Sequence, residues 1–441
     1  MSAPEGRAEI PVLVAADSAL WEAAAVERLE RRGSGAVLRR RCVDLPDLLA
    51  AARTGLGRVA VVAESLAGLD ADAVAALHGC GVEVVGVLDG SGDPVARQRL
   101  AHLGVRRFVP DHLEGFEEAV RAAAAGPARQ DLDDHPGVGD GPVPPLAPSG
   151  RVVAVWGPAG APGRTTIAVS VAAELAHRGL TALLLDADPY GGAVAQHLGV
   201  LEEVSGLLAA ARAANAGRLD AAALARLCRS VDERMRLLTG LPRADRWVEV
   251  RPAAFEEVLQ QARTLVDRVV VDVGFSLEED DDPFTAAPRR NGMTLVTLEQ
   301  ADELVVVGSA DPVGLARLAR GLVEITDRCP DLPTVVVVNR ARPSLGWAEQ
   351  DVRGMVEGFH RHARVRFVPD DRDTADRGLM AGRSVVELGD SALRRAIADL
   401  VDTLASSTPT GGRAPRSRTG RAGRARRLGR GLRSRRAGRA R

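Results

Sequence analysis

The chain is 441 residues long, 46% hydrophobic and 27% charged, which is too long for one ordinary domain and suits two or three packed cores. Every basic residue is arginine, and the formal net charge of -1 divides into an acidic body and a basic end, because residues 413–441 hold 13 arginines and no acid. No run of about 18 apolar residues occurs, so no membrane-spanning helix is expected. The start "MSAPEGRAEI" is not a basic segment followed by an apolar run, so no secretory signal is expected.

Residues 9–126 alternate strand-like and helix-like segments. "PVLVAA", "AVLRRRC", "VAVVAES", "VEVVGVLD" and "VRRFVP" are rich in β-branched residues and read as strands. "LWEAAAVERLERR", "DLPDLLAAARTG", "DADAVAALHGC" and "DPVARQRLAHLG" read as helices, and "HLEGFEEAVRAAAA" closes the block. Alternation of this kind predicts a parallel sheet covered on both faces. The layout resembles the response-regulator receiver fold. The residues a receiver needs for phosphorylation are mostly missing: the first strand leads to Asp17 alone, and the third ends in Glu64-Ser65 without an aspartate. The fourth ends at Asp89, and the fifth at Pro110 where a receiver has lysine. The block therefore reads as a pseudo-receiver used for docking or dimerisation. Cys42, Cys80, Cys228 and Cys329 lack CxxC spacing and read as buried reduced thiols rather than metal ligands.

Residues 127–150, "PARQDLDDHPGVGDGPVPPLAPSG", are too rich in Pro, Gly and Asp to form a core and read as a disordered linker. A second block, 151–405, follows, and residues 406–441 read as a disordered Arg-rich tail. The second block opens with "RVVAVWGPAGAPGRTTIAVSVAAELAHRG": an apolar strand, a Gly-rich loop and a helix. Such a loop binds phosphate through backbone N–H groups and a helix N-terminus, and a hydroxyl after the loop cation holds Mg²⁺. Two later apolar segments, "TALLLDADPYGG" and "DRVVVDVGF", end in Asp186, Asp188 and Asp272, where strand-end carboxylates can serve a bound metal.

The order "GAPGRTT", "LLLDADPYGG", "VVVDVGF", "ADELVVVGSADP" and "VVVVNR" resembles the ParA/MinD family of P-loop ATPases. With a receiver-like block ahead of it, the chain is similar to the CpaE/TadZ branch. The resemblance implies an α/β protein of two doubly wound parallel-sheet domains that binds ATP or ADP with Mg²⁺. It implies that Gly160, Ala161, Gly163, Arg164, Thr165 and Thr166 surround the phosphates. Thr165, Asp186 and Asp272 would serve Mg²⁺, partly through water, and Asp188 would position the attacking water. Asn339 and Pro369 would line the adenine pocket. It further implies a cytoplasmic, nucleotide-linked homodimer, in some members peripheral at the membrane, that positions pilus-assembly or septum and division machinery.

Departures from the family pattern fall in the loop itself. Ala159 stands where the family has a lysine that reaches across the dimer, Arg164 replaces the second lysine, and Pro158 and Pro162 remove two N–H donors. Binding is expected to outlast hydrolysis, which should be slow or absent. A non-enzymatic scaffold and a chromosome- or plasmid-partition ATPase with its tail on DNA are the other two readings. The acidic run Glu279 to Asp282 reads as a solvated loop, and Arg289 and Arg290 as either phosphate or partner contacts or an exposed pair. Leu393, Ile397, Leu400, Val401 and Leu404 lie at helical spacing and face the core. The tail, with only Leu428 and Leu432 as sizeable apolar residues, can bind an anionic membrane or nucleic acid by charge alone.

Overall fold

The computed structural model describes residues 9–17, 19–31, 33–90, 94–126, 150–160, 163–200, 204–279 and 288–405. Five strands build the first sheet: β1 (Ile10–Ala15), β2 (Ala36–Arg41), β3 (Val59–Ala63), β4 (Glu83–Leu88) and β5 (Arg107–Pro110), in the order β2-β1-β3-β4-β5. All pairs are parallel. Alternate side chains divide between two cores. Leu13, Ala15, Ala60 and Val62 pack under the helices Leu45–Arg53, Ala71–Gly79 and Pro94–His102. Val12, Val14, Val59 and Val61 pack under Glu22–Glu30 and Phe116–Ala124. Strands buried on both faces must be nearly all apolar, which is why these read as unbroken hydrophobic runs.

The closing helix starts at Phe116 rather than at His112, because Leu113 (φ 60°) and Gly115 (φ 72°) are both left-handed and cannot continue a helix from upstream. Burial pushes the Cys42 and Cys228 thiols up to about 11. Cys80, expected to be buried, is exposed where the chain turns at Gly81 after Ala71–Gly79.

The second sheet holds β6 (Arg151–Trp156), β7 (Ala182–Ala187), β8 (Arg229–Ser230), β9 (Met235–Leu238), β10 (Arg268–Val273), β11 (Glu303–Ser309), β12 (Thr334–Ala341) and β13 (Arg364–Pro369). Their order is β13-β12-β11-β6-β10-β7-β9-β8, parallel except for the short β8–β9 hairpin. β10 inserts between β6 and β7, so the strand carrying Asp272 lies beside both the loop strand and the strand carrying Asp186. Helices cover both faces. Phe255, Leu318 and Leu322 pack on one side of the sheet, and Ile167, Val171 and Leu175 on the other. The last helix, Ala392–Ala405, buries Leu393, Ile397, Leu400, Val401 and Leu404 on that second side, as its spacing requires. Both layers are thus α/β, each wound on two faces.

The two sheets meet through helix ends. Asp72 on Ala71–Gly79 accepts the Ala253 N–H at 3.0 Å, and Asp70 pairs with Arg251 at 3.5 Å. Ala253 belongs to the first turn of the helix Pro252–Leu265, whose free N–H groups and dipole favour a carboxylate there. Among the described residues, no helix is long and apolar enough to cross a membrane.

Candidate nucleotide site

Strand β6 ends at Trp156 and the helix Arg164–His177 begins after Gly163. The turn between them demands glycine twice. Gly160 (φ 71°) and Gly163 (φ 94°) are left-handed, and each is overlaid by another side chain. A β-carbon at Gly160 would collide with the Arg317 guanidinium, and one at Gly163 with the Asn339 amide. Ala161 and Pro162, both counted in the loop from sequence, lie outside the described residues. Pro158 packs instead of donating: a β-carbon on Gly321 would come within 3.3 Å of its Cβ.

The helix start delivers Arg164 and Thr165 into a group of carboxylates. In-register pairing of β10 with β7 sets Asp272 directly opposite Asp186. The Thr165 hydroxyl donates to Asp272 Oδ2 at 2.6 Å. Arg164 Nη2 pairs with Asp188 Oδ2 at 3.3 Å, and its Nη1 donates to the Val273 carbonyl at 3.2 Å and the Gly157 carbonyl at 3.4 Å. The loop cation therefore fastens the loop to the ends of β10 and β7. Asp186 accepts the Asp188 N–H at 3.3 Å and the Val194 N–H at 3.2 Å. Its carboxyl group fits only because Gly192 and Gly240 have no side chains: a β-carbon on Gly240 would lie 2.6 Å from Asp186 Cγ.

Burial dominates the electrostatics. It pushes the Asp272 carboxyl up to about 7, helped by the neighbouring Asp186 charge and opposed by the Thr165 hydrogen bond. Burial likewise pushes Asp186 up to about 6, against its two backbone N–H donors. Two adjacent buried carboxyl groups of this kind are each destabilised as bare anions. Among the described residues, no group of three or more His, Cys, Asp or Glu side chains gathers to hold a metal by itself. Mg²⁺ takes one or two protein oxygens and completes its shell with phosphate and water. Thr165 and Asp272 would hold it, with Asp186 behind them, and the ion would neutralise phosphate charge.

Beside the helix start lies a cavity of about 300 Å³. Gly163, Thr166, Ile167, Asn339 and Pro369 line it, so the two residues expected at the adenine pocket share a wall with two expected at the phosphates. The volume is at the lower end of the range for small-molecule sites. Asn339 Oδ1 accepts the N–H of Arg340, whose own φ of 56° turns the chain at the cavity rim.

Downstream of β10, residues 280–287 lie outside the described residues, and with them most of the acidic run, Asp280 to Asp282. Glu279 pairs with Arg328 at 2.5 Å. The far end of the segment is tied back to the "DADPY" turn. Tyr190 stacks against Phe275 with ring centroids 4.7 Å apart, its hydroxyl donates to Asn291 Oδ1 at 2.8 Å, and the Arg290 guanidinium lies 4.1 Å above its ring. Arg290 is thus held by an aromatic face rather than aimed at the loop, and Arg289 is exposed. Asn291 donates to Ser276 Oγ and the Glu278 carbonyl, which closes the segment at its base. Arg317, Tyr190, Gly240 and His197, whose Nε2 lies 3.4 Å from Thr166 Oγ1, were not expected from sequence. Arg317 and Gly240 reach the site from other parts of the chain with no local motif to mark them, whereas Tyr190 lies within the "DADPYGG" stretch itself and His197 follows Tyr190 by seven residues.

No family model matches the chain, and no curated protein matches it. Among solved structures it is similar to a ParA family ATPase from Chlorobium tepidum TLS (20% identity, TM-score 0.47), covering 57% of this chain and 98% of that one. It is similar to the septum site-determining protein MinD complexed with Mg-ADP from Pyrococcus horikoshii OT3 (17% identity, TM-score 0.45), covering 58% and 97%. It is also similar to a Cyanothece McdA variant in complex with ATP (16% identity, TM-score 0.46), again covering 58% and 97%.

Proposed function

We propose that the second sheet binds Mg·ATP or Mg·ADP at the Gly157–Thr166 loop and works as a nucleotide-linked positioning switch of ParA/MinD type, with slow hydrolysis. One observation carries this reading: a loop hydroxyl on one buried aspartate, a loop cation on a half-buried one, and a third aspartate in register with the first, all beside a cavity of nucleoside size. Structural packing alone gives no reason to bury Asp186 and Asp272 side by side, since each ionised carboxylate costs free energy there.

The CpaE/TadZ-like arrangement and the pseudo-receiver reading belong to the same proposal. The order β2-β1-β3-β4-β5 is the doubly wound order of receiver-like folds. At the strand ends the Asp89 N–H donates to Glu64 and the Gly90 N–H to Asp111, so these acids serve turns. On this reading the first sheet docks, the second switches, and the Arg-rich end adds charge-driven contact with anionic surfaces. The machinery positioned would be that of pilus assembly or of the division septum.

Isothermal titration of the full chain with Mg·ATP and Mg·ADP is the test. Binding with a Kd below about 1 mM, lost without Mg²⁺, is the expected result; no heat at millimolar nucleotide overturns the reading. A scaffold without turnover is favoured by one feature, the Arg164–Asp188 pair, which ties up the carboxylate that would position water. Phosphate release from saturated protein separates the two readings.

A further inference from the structure

Ala159 leaves the loop without a cation at its exposed end. The structure offers one from elsewhere. The helix Pro312–Arg328 leaves β11 through Asp311, which caps it by accepting the Val313 N–H at 3.1 Å and the Gly314 N–H at 2.9 Å. Three glycines press that helix down. A β-carbon on Gly308 would lie 2.8 Å from Leu318 Cδ2, one on Gly314 would lie 2.5 Å from Ser309 Cβ, and one on Gly321 would lie 2.8 Å from Trp156 Cη2. Trp156 ends the loop strand, so the helix sits against the root of the loop with little room to slide.

Arg317 lies between Gly314 and Gly321, about one turn from each. Its Nη1 covers Gly160 so closely that a β-carbon there would collide with it. The residue is exposed, and among the described residues it has no hydrogen-bond or ion-pair partner. Arg164, by contrast, is half-enclosed and spent on Asp188, Val273 and Gly157. A guanidinium carries five donors and no acceptor, so one held against the turn of a phosphate loop is poised for an oxyanion.

We infer that Arg317 is a phosphate-binding residue, and that it contacts the terminal phosphate of the nucleotide. The inference rests on the nucleotide reading above. Its placement follows from the loop: Gly163 borders the nucleoside cavity, whereas Gly160, three residues upstream, does not. A cation over Gly160 therefore meets the end of the phosphate chain farther from the nucleoside. It supplies from a neighbouring helix, within one chain, the charge missing at Ala159.

The test compares full-length parent, Arg317→Ala, Arg317→Lys and Arg320→Ala for Mg·ATP and Mg·ADP affinity by titration calorimetry. Arg320 is the control: it is exposed on the same helix one turn on, also without a partner among the described residues. Loss of one charge-assisted contact predicts ATP binding weakened about tenfold or more in Arg317→Ala, with ADP changed far less. Arg317→Lys should recover part of the loss, and Arg320→Ala should match the parent. Unchanged ATP affinity in Arg317→Ala overturns the inference and leaves the nucleotide reading standing. Equal losses for ATP and ADP overturn the terminal-phosphate placement. A parent that binds neither nucleotide overturns both. Matching thermal melts would show that the exposed substitution has not disturbed the fold.

Discussion

Arg164 differs from a lysine at its position because of its shape. A planar fork reaches two carbonyls and a carboxylate at once, where an ammonium would hold a single point. Arg164→Ala should weaken Mg·ATP binding by about tenfold or more in titration calorimetry, since both the charge and the loop tether go. Arg164→Lys should retain binding and release phosphate faster than the parent, because Asp188 is freed from its pairing with Arg164 Nη2. A slower or unchanged rate in a release assay would argue against Asp188 as the water-positioning group. Asp272 presents the opposite case, a residue kept at a cost. Asp272→Asn removes a buried charge, so the empty protein should melt roughly 2–4 °C higher while Mg²⁺-dependent nucleotide binding disappears. Scanning calorimetry with and without Mg·ATP reads both effects.

At the level of elements, much was legible from sequence. The strands β6, β7, β10, β11 and β12 are Val- and Leu-rich runs that end near a loop, a carboxylate or Asn339, and as strands they could be read from that pattern. Insertion of β10 between β6 and β7 could not be read, because strand order is a long-range property that no local spacing encodes. Nor could the β8–β9 hairpin at the sheet edge, where Arg229 and Ser230 have no strand pattern. The start of the Phe116–Ala124 helix has no local signature, because Leu113, an ordinary helix former, is left-handed in its turn. Glycines tell the same story. Gly160 and Gly163 were visible as loop residues, whereas Gly240 is 54 residues from Asp186 in sequence and meets it only in the fold. Gly240→Ala should destabilise the protein by about 1–3 kcal/mol in urea denaturation, as an overpacked side chain must displace a buried carboxylate.

For the whole molecule, the buried acids set the pH response. Asp186, Asp272 and Asp72 all have carboxyl groups raised above the ordinary 3.8, to about 6, about 7 and about 6. In this window the folded state binds protons that the unfolded chain has released, so their contribution makes stability fall as pH rises from about 4 to about 7. The empty protein should therefore melt higher near pH 5.5 than at pH 7.5, and Mg·nucleotide, which needs the ionised forms, should narrow the gap. A melting temperature that rises with pH over that range would contradict the assignment. At the joint between the sheets, Asp72→Asn keeps an acceptor for the Ala253 N–H and should be neutral or stabilising. Asp72→Leu strands that donor and should cost about 1–3 kcal/mol.

Tyr190 is the chain's only tyrosine. It joins the Asp188 turn to Asn291 and Arg290, and every phenol signal of the protein comes from that one bridge. Trp156, at the root of the loop, donates its indole N–H to the Phe275 carbonyl, next to the ring on which Tyr190 stacks. The site thus carries its own optical reporters. Ultraviolet difference spectra during nucleotide titration, or a tyrosine-selective label, would follow this one contact in the full-length protein without any engineered probe.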